Sequence, residues 1–147
     1  MRDLHSSVKV ANLITPVVAD ADTTLVSADL QGFDAAEVVI QAGAGGITFS
    51  GTNKIEFVLT HSDAASSGFT PVAQGDVIGA TVATGGIVLS FVAAKAAATV
   101  HRVGYVGGKR YLRLLADFSG THGAGTPLAA SALLGYPHQG PVADQLI

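Results

Sequence analysis

Cysteine and tryptophan are both absent from the 147 residues of this chain. Without cysteine there is no disulfide framework, no thiolate zinc site, no iron–sulfur ligation and no cysteine nucleophile. Aromatic residues make up only 6% of the sequence. This argues against a sugar-binding or sugar-cleaving site, because such pockets usually rely on aromatic side chains for contact.

Charged residues are scarce too, at 13% of the chain, where about 25% is usual for soluble domains. The balance is 8 Lys and Arg against 11 Asp and Glu, a net charge of −3. A dedicated nucleic-acid binder would carry a basic surplus, so that function is disfavoured. Because the cores of protein interfaces are depleted in charge, we expect other subunits to cover part of this surface.

Long apolar runs are missing, although 48% of the residues are hydrophobic and the mean hydropathy is +0.45. No run reaches the roughly 18–20 residues of a membrane helix, so no membrane association is expected. The opening segment Met1–His5 has an acid where a signal peptide would be basic, and no apolar stretch follows it. A chain this apolar is expected to be ordered, and its length predicts a single domain over residues 1–147.

The 18 glycines separate short runs of β-forming residues. The first four residues of Lys54–Thr60 alternate between polar and apolar, and continued alternation places Ile55, Phe57 and Leu59 on one face of a strand. Further strands are predicted at Val8–Val10, Thr23–Val26, Glu37–Gln41, Val77–Ile78 and Ile87–Phe91. Their spacing of about 8–12 residues predicts an all-β fold, an antiparallel β-sandwich or jelly-roll-like domain with extended termini.

Two segments fit this pattern less directly. Ala93–Ala98 has high helix propensity but is too short for a stable helix, so we predict one helical turn or a loop. Leu128–Leu134 is compatible with helix or strand, and we predict a strand because the last strand of an all-β sheet needs a partner. The ends, up to Ser7 and from Pro137 onward, are predicted to be extended and weakly held.

The pair Gly107-Gly108 predicts a two-residue hairpin between Val100–Val106 and Lys109–Phe118. The predicted core face carries His101, Val103, Tyr105, Leu112, Leu114, Ala116 and Phe118. In this register Arg102 lies directly opposite Arg113, with Tyr111 on the same outer face. Two facing arginines repel unless solvent screens them or a carboxylate approaches. Either the pair is solvated, or a carboxylate arrives from another strand or from another subunit. Tyr111 favours an interface, since Tyr and Arg are enriched at binding hot spots.

Catalytic and metal-binding motifs are lacking. The histidines stand singly, at His5, His61, His101, His122 and His138, and no two are spaced to share a metal. His101 is predicted to be a structural core residue and His122 a loop residue. The sequence has no Gly-x-Ser-x-Gly elbow, no phosphate loop and no dinucleotide fingerprint. We therefore expect no enzymatic activity, no cofactor and no metal.

Several segments together resemble one family. They are the opening Met1–His5, the segment Arg102–Arg113, the ending Leu134–Val142 and, more loosely, Phe57–Asp63 followed by Phe69–Val72. These segments resemble small proteins of tailed bacteriophages and gene transfer agents whose genes lie beside the major capsid gene. Members of this family look like head decoration (cement) proteins or the bases of head spikes.

The resemblance implies a non-enzymatic virion protein that binds the outer surface of a tailed-phage capsid and stabilises it. Its implied partners are the major capsid protein and further copies of itself, as a trimer or pentamer. It would lie on the outer surface of the phage head, and in the host cytoplasm during assembly. We expect the chain ends to reach over neighbouring subunits, at Arg2, Asp3, His5, Tyr136 and His138. The segment with Arg102, Lys109, Arg110, Tyr111 and Arg113 is expected to meet an acidic surface of the shell or a sister copy.

Three alternatives remain open from the sequence. The chain could form a head-spike base at the capsid vertices rather than a cement protein spread over the lattice. It could be a carbohydrate-binding, adhesin-like β-sandwich. An enzyme whose site is assembled from scattered residues is the third, and a deep pocket would be its signature.

Overall fold

Ten strands and two short 3-10 helices form the regular structure of residues 2–146, which are the residues that this computed structural model describes. The strands are β1 (Val8–Ala19), β2 (Ala28–Asp29), β3 (Phe33–Ala42), β4 (Lys54–Ser62), β5 (Thr70–Pro71), β6 (Val77–Ile78), β7 (Ile87–Phe91), β8 (Thr99–Tyr105), β9 (Tyr111–Ser119) and β10 (Thr126–Pro137). The helices are His5–Ser7 and Gln74–Asp76.

The strands form two antiparallel sheets. Sheet A has the order β1-β10-β3-β8-β6, and sheet B has the order β2-β9-β4-β5, with β7 also paired to β4. The two sheets pack together on one cluster of buried apolar side chains, to which both contribute. The predicted all-β sandwich is therefore confirmed.

Alternating side chains determine which face of each strand is buried. In β4, Ile55, Phe57 and Leu59 are fully buried, as the sequence pattern predicts. The predicted strand at Leu128–Leu134 is also confirmed as part of β10, which lies between β1 and β3. Its alternate residues Leu128 and Leu134 point into the core. Ala93–Ala98 belongs to the connection between β7 and β8 and forms no helix.

Two local predictions are wrong. Thr23–Val26 has no regular secondary structure, and the strand begins later, at Ala28. The Thr23 N–H donates to the Ala116 carbonyl at 3.2 Å, so this segment still runs beside β9. The chain start is also not simply extended, because His5–Ser7 forms one 3-10 turn directly before β1.

The predicted β8–β9 hairpin does not exist. β8 pairs with β3 and β6 in sheet A, whereas β9 pairs with β4 and β2 in sheet B. Arg102 therefore lies opposite Val39, and Arg113 lies opposite Thr60, so the two arginines are on different sheets. The segment between the strands, residues 106–110, connects sheet A to sheet B as an arch at one end of the sandwich. The buried faces were predicted correctly because alternation defines a strand's inner face without defining its neighbour.

The outward side of sheet A is called here the outer face. Its positions follow from the strand registers and consist mainly of small and apolar residues. They are Val8, Val10, Asn12 and Val18 of β1; Pro127, Ala129, Ser131, Leu133 and Gly135 of β10; Ala35, Glu37, Val39 and Gln41 of β3; Val100, Arg102 and Gly104 of β8; and Ile78 of β6. Among residues 2–146, no helix is long and apolar enough to cross a membrane.

Candidate partner-binding site

Most of the sequence-predicted site residues meet at one end of the sandwich, called here the terminal end. At this end β1, β3 and β9 begin, and β4, β8 and β10 finish. The arch between β8 and β9 brings Lys109 and Arg110 to this end, and the segment after β10 brings His138. These three residues line one groove of about 510 Å³, together with Asp34 and Asp63.

Tyr105, the last residue of β8, holds the arch in place. Its hydroxyl lies 2.9 Å from Nδ1 of His61 and accepts the Lys109 N–H at 3.1 Å. Burial raises the pKa of this tyrosine. Gly107 passes so close that a Cβ there would lie 2.6 Å from the Tyr105 hydroxyl oxygen. The arch therefore needs glycine at position 107 for close approach rather than for a hairpin turn.

The two cations of the arch are each paired with an acid from another element. Arg110 donates to Asp29 through Nε at 2.9 Å and Nη2 at 2.8 Å, and Lys109 forms an ion pair with Asp63. The Arg110 hydrogen bond lowers the pKa of Asp29, and the Lys109 hydrogen bond lowers that of Asp63. These cations are therefore neutralised within the chain and are not free for an acidic partner.

Three further predicted residues lie in different structural environments: Arg113, Tyr111 and Arg102. The Arg113 Nε donates to the Ser27 hydroxyl at 2.7 Å, and its guanidinium carbon lies 3.9 Å from the Phe69 ring centroid. Arg113 thus holds two surface segments against sheet B. Tyr111 is half-buried beside Arg110, whose guanidinium carbon is 4.9 Å from the ring centroid. Arg102 lies apart on the outer face of sheet A.

The two chain ends lie together at the terminal end. Nε2 of His5 is 2.8 Å from Asp144, and the Val142 N–H donates to the Ser6 carbonyl at 2.9 Å. The Gln145 amide both accepts the Val10 N–H and donates to the Val10 carbonyl, at 2.8 and 2.9 Å. The ends are thus better tied down than predicted, because side chains on the tail bond to β1 and to the turn before it.

Hydrogen bonds shift the pKa of two residues near the start of the chain. The Asp144 hydrogen bond raises the pKa of His5. Hydrogen bonds from Ser6 lower the pKa of Asp3, which accepts the Ser6 N–H at 3.3 Å. Arg2, just before it, is exposed.

Tyr136 is the most unusual predicted residue. It lies just before the end of β10, and its side chain is 78% exposed. Its φ angle is +54°, in the left-handed region that residues other than glycine seldom adopt. The following turn is fixed by His138, whose N–H donates to the Gly32 carbonyl at 2.9 Å and whose Nε2 lies 2.6 Å from Asp34. The fold therefore holds an aromatic ring out in solvent at a strained position.

Each histidine has its own partner rather than a shared one. His101 contacts the Thr99 hydroxyl at 2.9 Å, and burial lowers its pKa. His122 lies in the predicted loop but is buried, which the sequence reasoning missed; its ring packs edge-on against Phe118, and Nε2 is 2.8 Å from the Ser119 carbonyl oxygen. Within the part of the chain that the structure describes, no three His, Asp or Glu side chains are grouped to hold a metal.

The acidic partners Asp29, Asp34 and Asp63 are the site residues that sequence reasoning missed. Each lies at least 46 positions from its partner side chain in the sequence, so no local spacing signals the pairs. The assembled surface combines neutralised charges with exposed apolar side chains, including Leu4, Val106, Tyr136 and Leu146. This combination is typical of a surface for protein contact, with paired polar groups around apolar anchors. Comparison of the chain with protein-family models, with curated proteins and with solved structures gave no match.

Proposed function

We propose that this chain is a non-enzymatic structural protein of a virion. It binds the outer surface of a tailed-phage capsid, through the major capsid protein, and stabilises the shell as a decoration or cement protein. The resemblance of the opening, the β8–β9 segment and the ending to phage head proteins supports this class. The residues of the terminal end form one continuous surface, and this supports contact with a partner protein rather than catalysis in a pocket.

The observation that carries the proposal is the exposed ring of Tyr136 at a left-handed backbone position. A non-glycine residue in that region costs about 1–2 kcal/mol, and such strain clusters at functional sites. Burying the ring against a partner would offset that cost. Tyrosine is among the residues enriched at binding hot spots, because it buries a large area with few rotatable bonds.

The surroundings of Tyr136 suit attachment to a large protein lattice. Lys109 and Arg110 are already paired with carboxylates, so neither of these cations is free for an acidic partner. Attachment would then depend mainly on apolar contact and shape. Many copies on one shell, each bound weakly, can together hold neighbouring capsid subunits through avidity if each copy contacts more than one subunit.

The test is co-sedimentation of the purified protein with heads of its own phage produced without it. Saturation at hundreds of copies per head is the expected result for a cement protein. Saturation at a few tens would instead place the protein at the vertices as a spike base. No binding to heads would overturn the proposal, and a glycan titration followed by tyrosine fluorescence would then test the carbohydrate-binding alternative.

Matched variants locate the contact. Tyr136→Gly removes the ring and suits the left-handed backbone, so we expect at least about tenfold weaker binding to heads from a folded protein. Val92→Ala is the control, because Val92 is exposed just beyond β7, at the opposite end of sheet B. Equal binding of the two variants would remove Tyr136 from the contact.

A further inference from the structure

The outer face of sheet A is almost without charge. Among residues 2–146, Glu37 and Arg102 are the only charged side chains that this face carries. Valine side chains on it are strongly exposed, with Val100 at 68% and Val18 at 62%. An apolar sheet face of this extent normally packs against another layer of protein.

We infer that a second copy of this chain covers the outer face, so that two copies pack sheet A against sheet A about a two-fold axis. The inference goes beyond the proposed function, since it concerns a different surface and needs no capsid. Two sheets that pack face to face interdigitate their side chains at about 10 Å separation, as the two sheets of one sandwich do. The dimer would add a further interface of that kind.

The two charged residues of the outer face, Glu37 and Arg102, have opposite signs, so two copies of the face can complement each other. Arg102 is exposed over 82% of its side chain, and its Nη1 lies 3.6 Å from the Glu37 carboxylate. The residues are on neighbouring strands, with Arg102 opposite Val39, two positions along β3 from Glu37. A two-fold axis between the faces, perpendicular to the line joining these residues, places each copy's glutamate opposite the other's arginine. Opposite charges across the interface favour this arrangement over others.

An apolar groove adjoins the outer face at the end away from Tyr136. It has a volume of about 610 Å³, and none of its lining residues is charged. Val17, Val18 and Val100 are exposed in it, and Pro127 and Ala129 continue it onto the outer face. Side chains of a second copy that enter this groove would extend the dry contact beyond the centre of the face.

The area is sufficient for a specific, moderately stable dimer. Four strands at about 4.8 Å spacing, over about eight residues at 3.3 Å each, give a footprint of roughly 500 Å² per copy. Two copies would bury roughly 1,000 Å², which is near the lower bound for a biological interface. We therefore expect self-association that depends on protein concentration rather than an obligate dimer.

Sedimentation velocity over a range of protein concentrations tests the inference without any phage head. Arg102→Glu places like charges opposite each other, and we expect it to raise the dimer dissociation constant at least about tenfold. The exchange of both charges, Glu37→Arg with Arg102→Glu, restores opposite charges and is expected to return the constant to within about threefold. Thermal melting of each variant shows whether it is folded.

A second pair of variants distinguishes the outer face of sheet A from the terminal end as the dimer contact. Val100→Lys puts a charge on the outer face and should abolish the dimer, whereas Val106→Lys, exposed at the terminal end, should leave it intact. A wild-type protein that is monomeric at about millimolar concentration would overturn the inference. So would a dimer that neither the charge variants nor Val100→Lys affect. If the protein is monomeric and Val100→Lys weakens binding to heads, the outer face belongs to the capsid instead.

Discussion

The hydroxyl of Tyr105 in sheet A lies 2.9 Å from Nδ1 of His61 in sheet B, so one hydrogen bond joins the two layers across the buried end of the core. The same oxygen accepts the Lys109 N–H. A single side chain thereby connects the two sheets and fixes the arch that carries Lys109 and Arg110 to the terminal end.

Removal of this hydroxyl should lower the free energy of unfolding. In Tyr105→Phe both the His61 nitrogen and the Lys109 N–H lose their partner, and we expect a loss of about 1–3 kcal/mol in the free energy of unfolding. Urea denaturation measures it. Tyr111→Phe is the control, because the Tyr111 hydroxyl has no hydrogen bond within the described part of the chain. Equal stability of the two variants would contradict the connecting role of Tyr105.

Adjacent glycines in the arch should respond differently to alanine. At Gly107 a Cβ would press on the Tyr105 hydroxyl and ring, which His61 prevents from moving aside, so we expect about 1–3 kcal/mol of destabilisation. At Gly108 a Cβ would meet nothing within 4 Å, and the expected change is within about 0.5 kcal/mol. Chemical denaturation of both variants checks this contrast. A two-residue hairpin turn would instead make both positions sensitive.

Replacement of Tyr136 by glycine should weaken binding to heads without lowering the stability of the fold. Because its φ of +54° favours glycine, Tyr136→Gly is expected to unfold at the same temperature as the wild type or higher. Binding to heads should nevertheless fall, as proposed above. Thermal unfolding, measured with the binding assay on one preparation, checks both effects. A marked loss of stability would mean that the ring supports the fold rather than a partner.

The contact between the two chain ends should depend on pH. Because Asp144 raises the pKa of His5, the folded state binds this proton more tightly than the unfolded state. The contribution of the contact is therefore complete below the unfolded pKa of about 6.5 and is lost as the pH rises through the folded pKa. NMR titration should show the His5 pKa falling towards about 6.5 in Asp144→Asn. His101, which has other partners, should titrate unchanged.

The sequence determined which residues face the core and that the fold is all-β. Alternation in β4, β8 and β9 identified the buried side of each strand, because the side-chain period of a strand is local and independent of its neighbours. It also identified Tyr136, His138, Lys109 and Arg110 as candidates by residue type and by resemblance. The low charge content led us to expect a covered surface, and the outer face of sheet A, on which Glu37 and Arg102 are the only charged side chains among residues 2–146, is where we infer one.

Only the tertiary structure decided which strands pair and which charges meet. Gly107-Gly108 favours a tight hairpin by local geometry, but β8 pairs with β3 and β9 pairs with β4, both distant in sequence. Arg102 and Arg113 therefore lie on different sheets. Long-range pairing also brings Asp29 to Arg110 and Asp34 to His138, across separations that no local pattern encodes. Strand pairing and ion pairing both depend on contacts between distant segments, which the packing of the whole core selects.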